Sequence, residues 1–313
     1  MNTPISSLEK IPHFPVMMSE VIHACNLSKG GLFVDCTFGG GNYTKEFLKH
    51  PNTKVIALDR DQKVISKAKK IEEENPKKFL FFNERFSNLD KVISKGTKPD
   101  AIIFDLGLSM EQIQDYSRGF SFNSKEKIDM KMGLSYLSAE EVINTFDEKT
   151  LKLIIKIFGE EKEAAKIAKN IIIERDKKKI SNTRELVEII KKSKKKNYNK
   201  KTNVCTKTFQ ALRIFVNKET TELVEGLIKA TQLVKDGGKI IVISFHSIED
   251  KIVKFYFKNY SSDKSNPSRY LPKTNGKENT FFKNYQNKFL TPSKKEIEKN
   301  PPSRSAKLRY VIR

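Results

Sequence analysis

Leu32-Phe-Val-Asp-Cys-Thr-Phe-Gly-Gly-Gly-Asn-Tyr-Thr44 is the stretch on which the fold turns. Its first half is a short apolar run of branched and aromatic side chains, the pattern of a buried strand. Its second half is a glycine turn running into a helix. Glycines at the end of a strand let the backbone turn sharply and approach a ligand with no Cβ in the way. A helix N-terminus behind them favours a carboxylate or phosphate. Two cofactor classes use such a turn. A dinucleotide site wants G-x-G-x-x-G, and Thr44 stands where the last glycine would be. An S-adenosylmethionine site wants an acidic residue four before the first glycine, which Asp35, Gly39 and Gly41 supply. A tight turn with no ligand is the third reading.

Outward from this turn, three more short runs share the strand pattern: Val55-Ile-Ala-Leu-Asp59, Phe79-Leu-Phe-Phe82 and Ala101-Ile-Ile-Phe-Asp105. Helical pieces at 45–49 and 62–74 separate the first three strands, and Pro76 closes the second piece. Alternation of strand and helix predicts right-handed βαβ units and a parallel sheet buried on both faces. After Asp105 the alternation stops. From Ser138 to Ser193 the apolar period is 3.6. Ser138-Ala-Glu-Glu141 is a capping-box start, and one helix is expected from there to Gly159, a second over 160–176, and a third opened by Asn182-Thr183. The strand-and-helix pattern returns with helices at 209–217 and 219–234, a buried strand over 239–245, a helix over 248–258 and a terminal strand over 307–313. A polar stretch, 260–277, reads as a loop. The expected fold is therefore α/β, a Rossmann-like sheet with an all-helical insertion. Residues 1–115 and 205–313 form the sheet domain and 116–204 the insert.

Composition narrows the function class. The 313 residues carry 60 Lys+Arg against 38 Asp+Glu, a net charge of +22. Only 10 of the basic residues are Arg, so much of the charge reads as a lysine-rich bias spread over the surface. It favours a polyanion without naming one. Seven lysines fall within Lys191 to Lys201, either a solvated loop or an RNA contact. No apolar run approaches the ~18 residues of a membrane span. Met1 to Lys10 lacks a signal-peptide pattern, and Cys25, Cys36 and Cys205 fit neither a disulfide framework nor a metal site. A cytoplasmic protein with no bound metal is expected.

In an open parallel sheet the ligand crevice lies at the carboxyl ends of the strands, where strand order reverses. Asp59 ends the second strand, where a carboxylate can accept both ribose hydroxyls of a nucleoside; its bland alternative is a turn residue. Phe86, after the third strand, can flank an adenine or belong to the core. Asp105-Leu-Gly-Leu-Ser109 sets a carboxylate and a flexible glycine beside the reacting centre. His246, at the end of the fifth strand, is either a base or the residue that holds the strand-to-helix turn.

These residues carry a resemblance. The chain resembles the RsmH (MraW) family of methyltransferases, which act on the exocyclic N4 of a cytidine in the decoding centre of small-subunit (16S) rRNA. The matching pieces run in order along nearly the whole chain. They begin with His13-Phe-Pro-Val16, Asp35 to Gly41, Phe104-Asp-Leu-Gly-Leu-Ser109, Arg118-Gly-Phe-Ser-Phe122 and Ile128-Asp-Met-Lys-Met132. They continue with Thr208 to Ile214, Val216-Asn217, Gly237-Gly238, Ser244-Phe-His-Ser-Ile-Glu-Asp250 and Ser303 to Arg309. By position the resemblance implies S-adenosylmethionine contacts from Gly41, Asn42, Tyr43, Asp59, Phe86, Asp105 and Gln112. It implies a substrate that is the small-subunit rRNA or the assembled subunit. The family commonly has Gly-Gly-His where Gly41-Asn42-Tyr43 stands, a second Ser at Met110, and Arg at Lys131. Contacts made there through backbone N–H survive the change, and a role for the His side chain does not carry over.

For the chemistry, a backbone carbonyl of the Asp105-Leu-Gly-Leu loop or Asp105 itself is the candidate acceptor for the amine, and His246 is a second catalytic candidate. A target base must be unstacked, so Phe120 and Phe122 are candidates to stack on it. Arg118, Lys131 and Arg213 are candidates to take phosphates. Two rivals stand beside this reading: a methyltransferase for a DNA base, and a basic ribosome-assembly factor that has lost its cofactor.

Overall fold

The computed structural model describes residues 15–194, 203–261, 280–283, 285 and 288–313. Among the described residues, six strands form one sheet: β1 (Gly31–Asp35), β2 (Thr53–Leu58), β3 (Phe79–Phe82), β4 (Ala101–Asp105), β5 (Lys239–Ser244) and β6 (Lys307–Ile312), in the order β3-β2-β1-β4-β5-β6. All pairs are parallel except β5 with β6, where Ile240 faces Val311 and Ser244 faces Lys307 in antiparallel register. The order reverses between β1 and β4, so the crevice lies at their carboxyl ends.

Alternation along each strand divides the core in two. Phe33, Val55 and Ile103 face one side and pack with Val21, Phe47 and Leu308. Val34, Ile56 and Phe104 face the other and pack with Leu223, Leu227 and Phe257. Both faces are therefore covered by helices, which is why these strands read as continuous apolar runs.

A third core belongs to the helical part. Val142, Leu151, Ile155, Ile167, Ile171, Leu186 and Ile190 pack together there. Two corrections to the sequence reading follow. The single helix expected from Ser138 to Gly159 is two, Ala139–Thr145 and Glu148–Gly159. Phe146 is extended, and the Asp147 side chain accepts from Thr150 N at 2.7 Å to cap the second helix, a local signal that a sustained 3.6 period conceals. The helix Thr206–Asn217, assigned above to the sheet domain, contributes Phe209, Leu212 and Val216 to the helical core. The helical packing thus continues to Asn217 rather than ending at residue 204. The caps at Ser138 and Asn182 form as expected. Residues 195–202, which hold four of the seven lysines (195, 196, 200 and 201), and most of the polar stretch 260–277 lie outside the described residues, as do His13 and Phe14. Among the described residues no helix is long and apolar enough to cross a membrane.

Candidate active site

A cavity of about 300 Å³ opens at the β1/β4 crevice, within the ~300–1,000 Å³ range usual for small-molecule sites. Gly41 shows why the turn beneath it needs glycine. Its φ is +73°, and a Cβ there would sit 2.7 Å from the Phe38 ring. Asn42 and Tyr43 follow and line the cavity, whereas Gly41 lies behind it. Tyr43 is buried, and its hydroxyl donates to the Val16 carbonyl, tying the N-terminal segment to the turn.

Asp59 sits beyond the end of β2 and also lines the cavity. Its Oδ2 accepts from Gly39 N at 2.7 Å and its Oδ1 from Asp61 N at 2.8 Å, so the carboxylate is aimed by two backbone donors. Each oxygen keeps a lone pair for a further donor. Burial nevertheless pushes its pKa up to about 6. Phe86 forms a neighbouring wall, edge-on to Phe104 at 5.3 Å. Gln112 lines the cavity too. Its side chain closes the capping box of the helix Met110–Gln114 with Ser109 and donates to Asp61 Oδ2 at 2.9 Å.

Asp105, at the end of β4, is the most unusual group of the site. Its backbone N–H donates to Thr37 Oγ1 at 2.8 Å, and its side-chain Oδ1 is buried with no hydrogen-bond partner among the described residues. Burial first, and then the charges of Asp35, Glu249 and Glu296, raise its pKa well above the ordinary carboxylate range. Asp35 behind it is pushed up to about 6 by burial, although Thr44 Oγ1 donates to it at 2.8 Å. A buried acceptor without a donor costs stability, and Asp105 is also one of the residues that line the cavity.

The other wall is a chain of charges. Arg213 grips Glu219 with Nε and Nη2, both at 2.8 Å. Glu249 closes the capping box of the helix Ser247–Asn259 by accepting from His246 N at 3.3 Å, and the same oxygen accepts from Phe245 N at 2.9 Å. Burial raises the Glu249 pKa, but His246 and Arg213 outweigh it and the carboxyl is held low. His246 is the N-cap of that helix: its Nδ1 accepts from Glu249 N at 3.4 Å and its Nε2 is 3.0 Å from Glu249 Oε1. His246 does not line the cavity, while Arg213 and Glu249 do. Glu219, His246 and Glu249 each bring a ligand-type atom within 4.8 Å of the others. Both oxygens of Glu219 are already taken by Arg213.

The remaining substrate candidates have protein partners. Buried Arg118 pairs with Asp61, donates to the Lys131 carbonyl at 2.6 Å, and lies over the Phe120 ring at 5.3 Å. Phe120 is a member of the helical core, and Phe122 packs edge-on to Phe209 at 6.2 Å. Lys131 lies 3.3 Å from Asp129. None of these four lines the cavity. Met132, Arg60 and Asn217 stand near it without having been given a role from sequence. Two of them fall in quoted motifs, so the signal was present, but a structural job and a functional one read alike in one sequence.

A family model described as the MraW methylase family matches residues 10–313. The Ribosomal RNA small subunit methyltransferase H of Ehrlichia canis (strain Jake) is 40% identical over 304 residues, covering 96% of this chain and 99% of that protein. Its namesake from Orientia tsutsugamushi (strain Boryong) is 39% identical over 309 residues, covering 96% and 98%. Among solved structures, an rRNA methylase from Streptococcus thermophilus aligns over 98% of this chain and 99% of its own, with 11% identity and a TM-score of 0.42. Matched from residue 10 to its last residue, the chain belongs to the MraW methylase family.

Proposed function

We propose that this protein methylates the exocyclic N4 of a decoding-centre cytidine in small-subunit (16S) rRNA, acting on the free RNA or the assembled subunit. S-adenosylmethionine is the methyl donor, and when bound it supplies an electrophilic methyl group on a sulfonium. The site fits that group. The glycine turn leaves room for a close backbone approach, and Asp59 offers two aimed oxygens for the ribose. Phe86 supplies an apolar wall, and Asn42, Tyr43 and Gln112 complete the lining.

The observation that carries the catalytic assignment is the unpartnered, buried Oδ1 of Asp105. A cytosine amine is a poor nucleophile because its lone pair is delocalised into the ring. The protein must align it, accept its N–H and exclude water. Asp105 Oδ1 accepts the N4–H bond and draws off positive charge as it develops. Arg213, held by Glu219, keeps a fixed positive edge on the opposite wall. Glu249 and His246 hold the strand-to-helix turn that carries Phe245 against Gly107. The relatives' name supports the RNA class, and the basic balance of the chain agrees with it.

The test has two arms. Mass mapping of rRNA nucleosides in a deletion strain should show loss of one N4-methyl from the decoding-centre cytidine; if that methyl persists, the substrate assignment fails. Asp105→Asn should lower turnover about 10²-fold or more while the unliganded protein melts no lower than the parent. Turnover near the parental value would remove Asp105 from the chemistry.

A further inference from the structure

The segment 130–135 crosses from the helical core to the cavity, and side chains from both sides hold it by hydrogen bonds. Ile128 and Met130 are buried in the helical core, and Met132, buried as well, also lines the cavity. Gly133 follows with φ +113°, where a Cβ would fall 2.1 Å from the Arg60 carbonyl oxygen. Backbone of strap and sheet therefore touch directly.

The holding groups come from both sides. From the sheet, Arg60 donates from each of its three guanidinium nitrogens: Nε to the Gly133 carbonyl at 2.9 Å, Nη2 to Ser135 Oγ at 2.9 Å, and Nη1 to the Asn217 carbonyl at 2.8 Å. From the helical side, Asn217 is fully buried. Its Oδ1 accepts from Met132 N at 2.8 Å and Ser135 Oγ at 2.9 Å, and its Nδ2 donates to the Met130 carbonyl at 2.7 Å. Arg118 adds the Lys131 carbonyl and the Asp61 carboxylate. Asp61 N in turn donates to Asp59 Oδ1. One tripeptide, Asp59-Arg60-Asp61, thus faces the cofactor with its first residue and grips the strap with the next two.

We infer that Arg60, Arg118 and Asn217 are positioning residues for S-adenosylmethionine: they hold the 130–135 strap as a wall of the cavity, so that cofactor affinity and the seating of the helical part depend on each other. Filling the cavity buries Met132 further and steadies Asp59. Steadying Asp59 steadies Arg60 and Asp61, and through them the strap. Linkage makes the dependence reciprocal. The residues that bind methyl donor and the part that carries the basic helices are then one mechanical unit, which a purely local cofactor site would not need.

The inference rests on the cofactor assignment, and the experiment separates the two. S-adenosylhomocysteine is titrated calorimetrically into the full-length protein and into Asn217→Ala, Arg60→Lys and Arg175→Ala. The last removes a strut wholly inside the helical part, where Arg175 Nη1 donates to Ile143 and Phe146 carbonyls. Affinity should fall at least tenfold in Asn217→Ala and about threefold in Arg60→Lys, and change less than twofold in Arg175→Ala even if its melting temperature drops as far. Amide exchange over 130–135 should slow on adding S-adenosylhomocysteine to the parent. Parental affinity in Asn217→Ala and Arg60→Lys, or strap exchange that ignores the ligand, overturns the inference. Should Asn217→Ala fail to fold, Arg60→Lys with the exchange measurement decides alone. A parent that binds no S-adenosylhomocysteine sinks the cofactor assignment, and the strap inference with it.

Discussion

Asp59 illustrates how one side chain is made useful at a cost to the fold. Two backbone donors aim it, yet burial lifts its pKa to about 6, against 3.8 in the unfolded chain. A pKa raised in the folded state means that ionisation penalises folding: the penalty is absent below about pH 4 and complete above about pH 6. The proposed ribose contact wants the ionised form. Affinity for S-adenosylhomocysteine should therefore be flat above about pH 7 and fall as pH drops through 6, approaching tenfold per unit. Asp59→Asn should remove that pH dependence and weaken binding, since its amide keeps one acceptor where the carboxylate has two. Calorimetry from pH 5 to 8 checks this, and a profile unchanged by Asp59→Asn would refute it. The position of Asp59 after a strand was legible in sequence, and its turn alternative is also realised, since its Oδ1 accepts from Asp61 N two residues on. The aim of its oxygens was not legible, since Gly39 and Asp61 N–H vectors are set by the turn.

At the scale of elements, capping chemistry was readable and partners were not. Ser138 and Asn182 cap helices as their side chains prescribe. Lys194 departs furthest from its sequence reading. It belongs to the lysine run, where a solvated loop or an RNA contact was expected, yet its side chain is 2% exposed and pairs at 2.5 Å with Glu161, itself 1% exposed. It also donates to the Val204 carbonyl, joining the two ends of the described chain around 195–202. Removing one partner of a buried pair leaves an uncompensated charge, which typically costs ~3–5 kcal/mol. Lys194→Met should show a loss of that order in urea denaturation, and Lys194→Met with Glu161→Leu should recover most of it. Equal losses in the single and double variants would mean that packing, not charge, sets the cost. The helix Thr206–Asn217 teaches the same lesson. Its amphipathic pattern announced a helix, but which core it serves depends on the Glu148–Gly159 helix that it meets in space.

For the whole molecule, the +22 charge is best understood as attraction without choice. Arg118 and Arg213, the arginines proposed from sequence for phosphate binding, are engaged with Asp61 and Glu219. Nonspecific RNA contact then falls largely to surface lysines such as Lys191 and Lys192, which are exposed. Lysine contacts release counterions, so RNA affinity should fall ~10²-fold or more between 50 and 200 mM salt, with S-adenosylhomocysteine affinity nearly unchanged. Filter binding and calorimetry at matched salt concentrations test this, and RNA binding indifferent to salt would reject the electrostatic account. The family and the mostly parallel sheet were determined by the sequence alone. These rest on local rules: period, glycine turns, caps and motif order, which act over a few residues. Tertiary structure alone decided that Arg118 pairs with Asp61 and Phe120 joins the helical core, that Asn217 and Arg60 hold the 130–135 segment, and that Asp105 Oδ1 has no hydrogen-bond partner among the described residues. Hydrogen-bond partnership joins residues as far apart as Arg60 and Asn217, and only the folded chain brings their atoms within 3 Å.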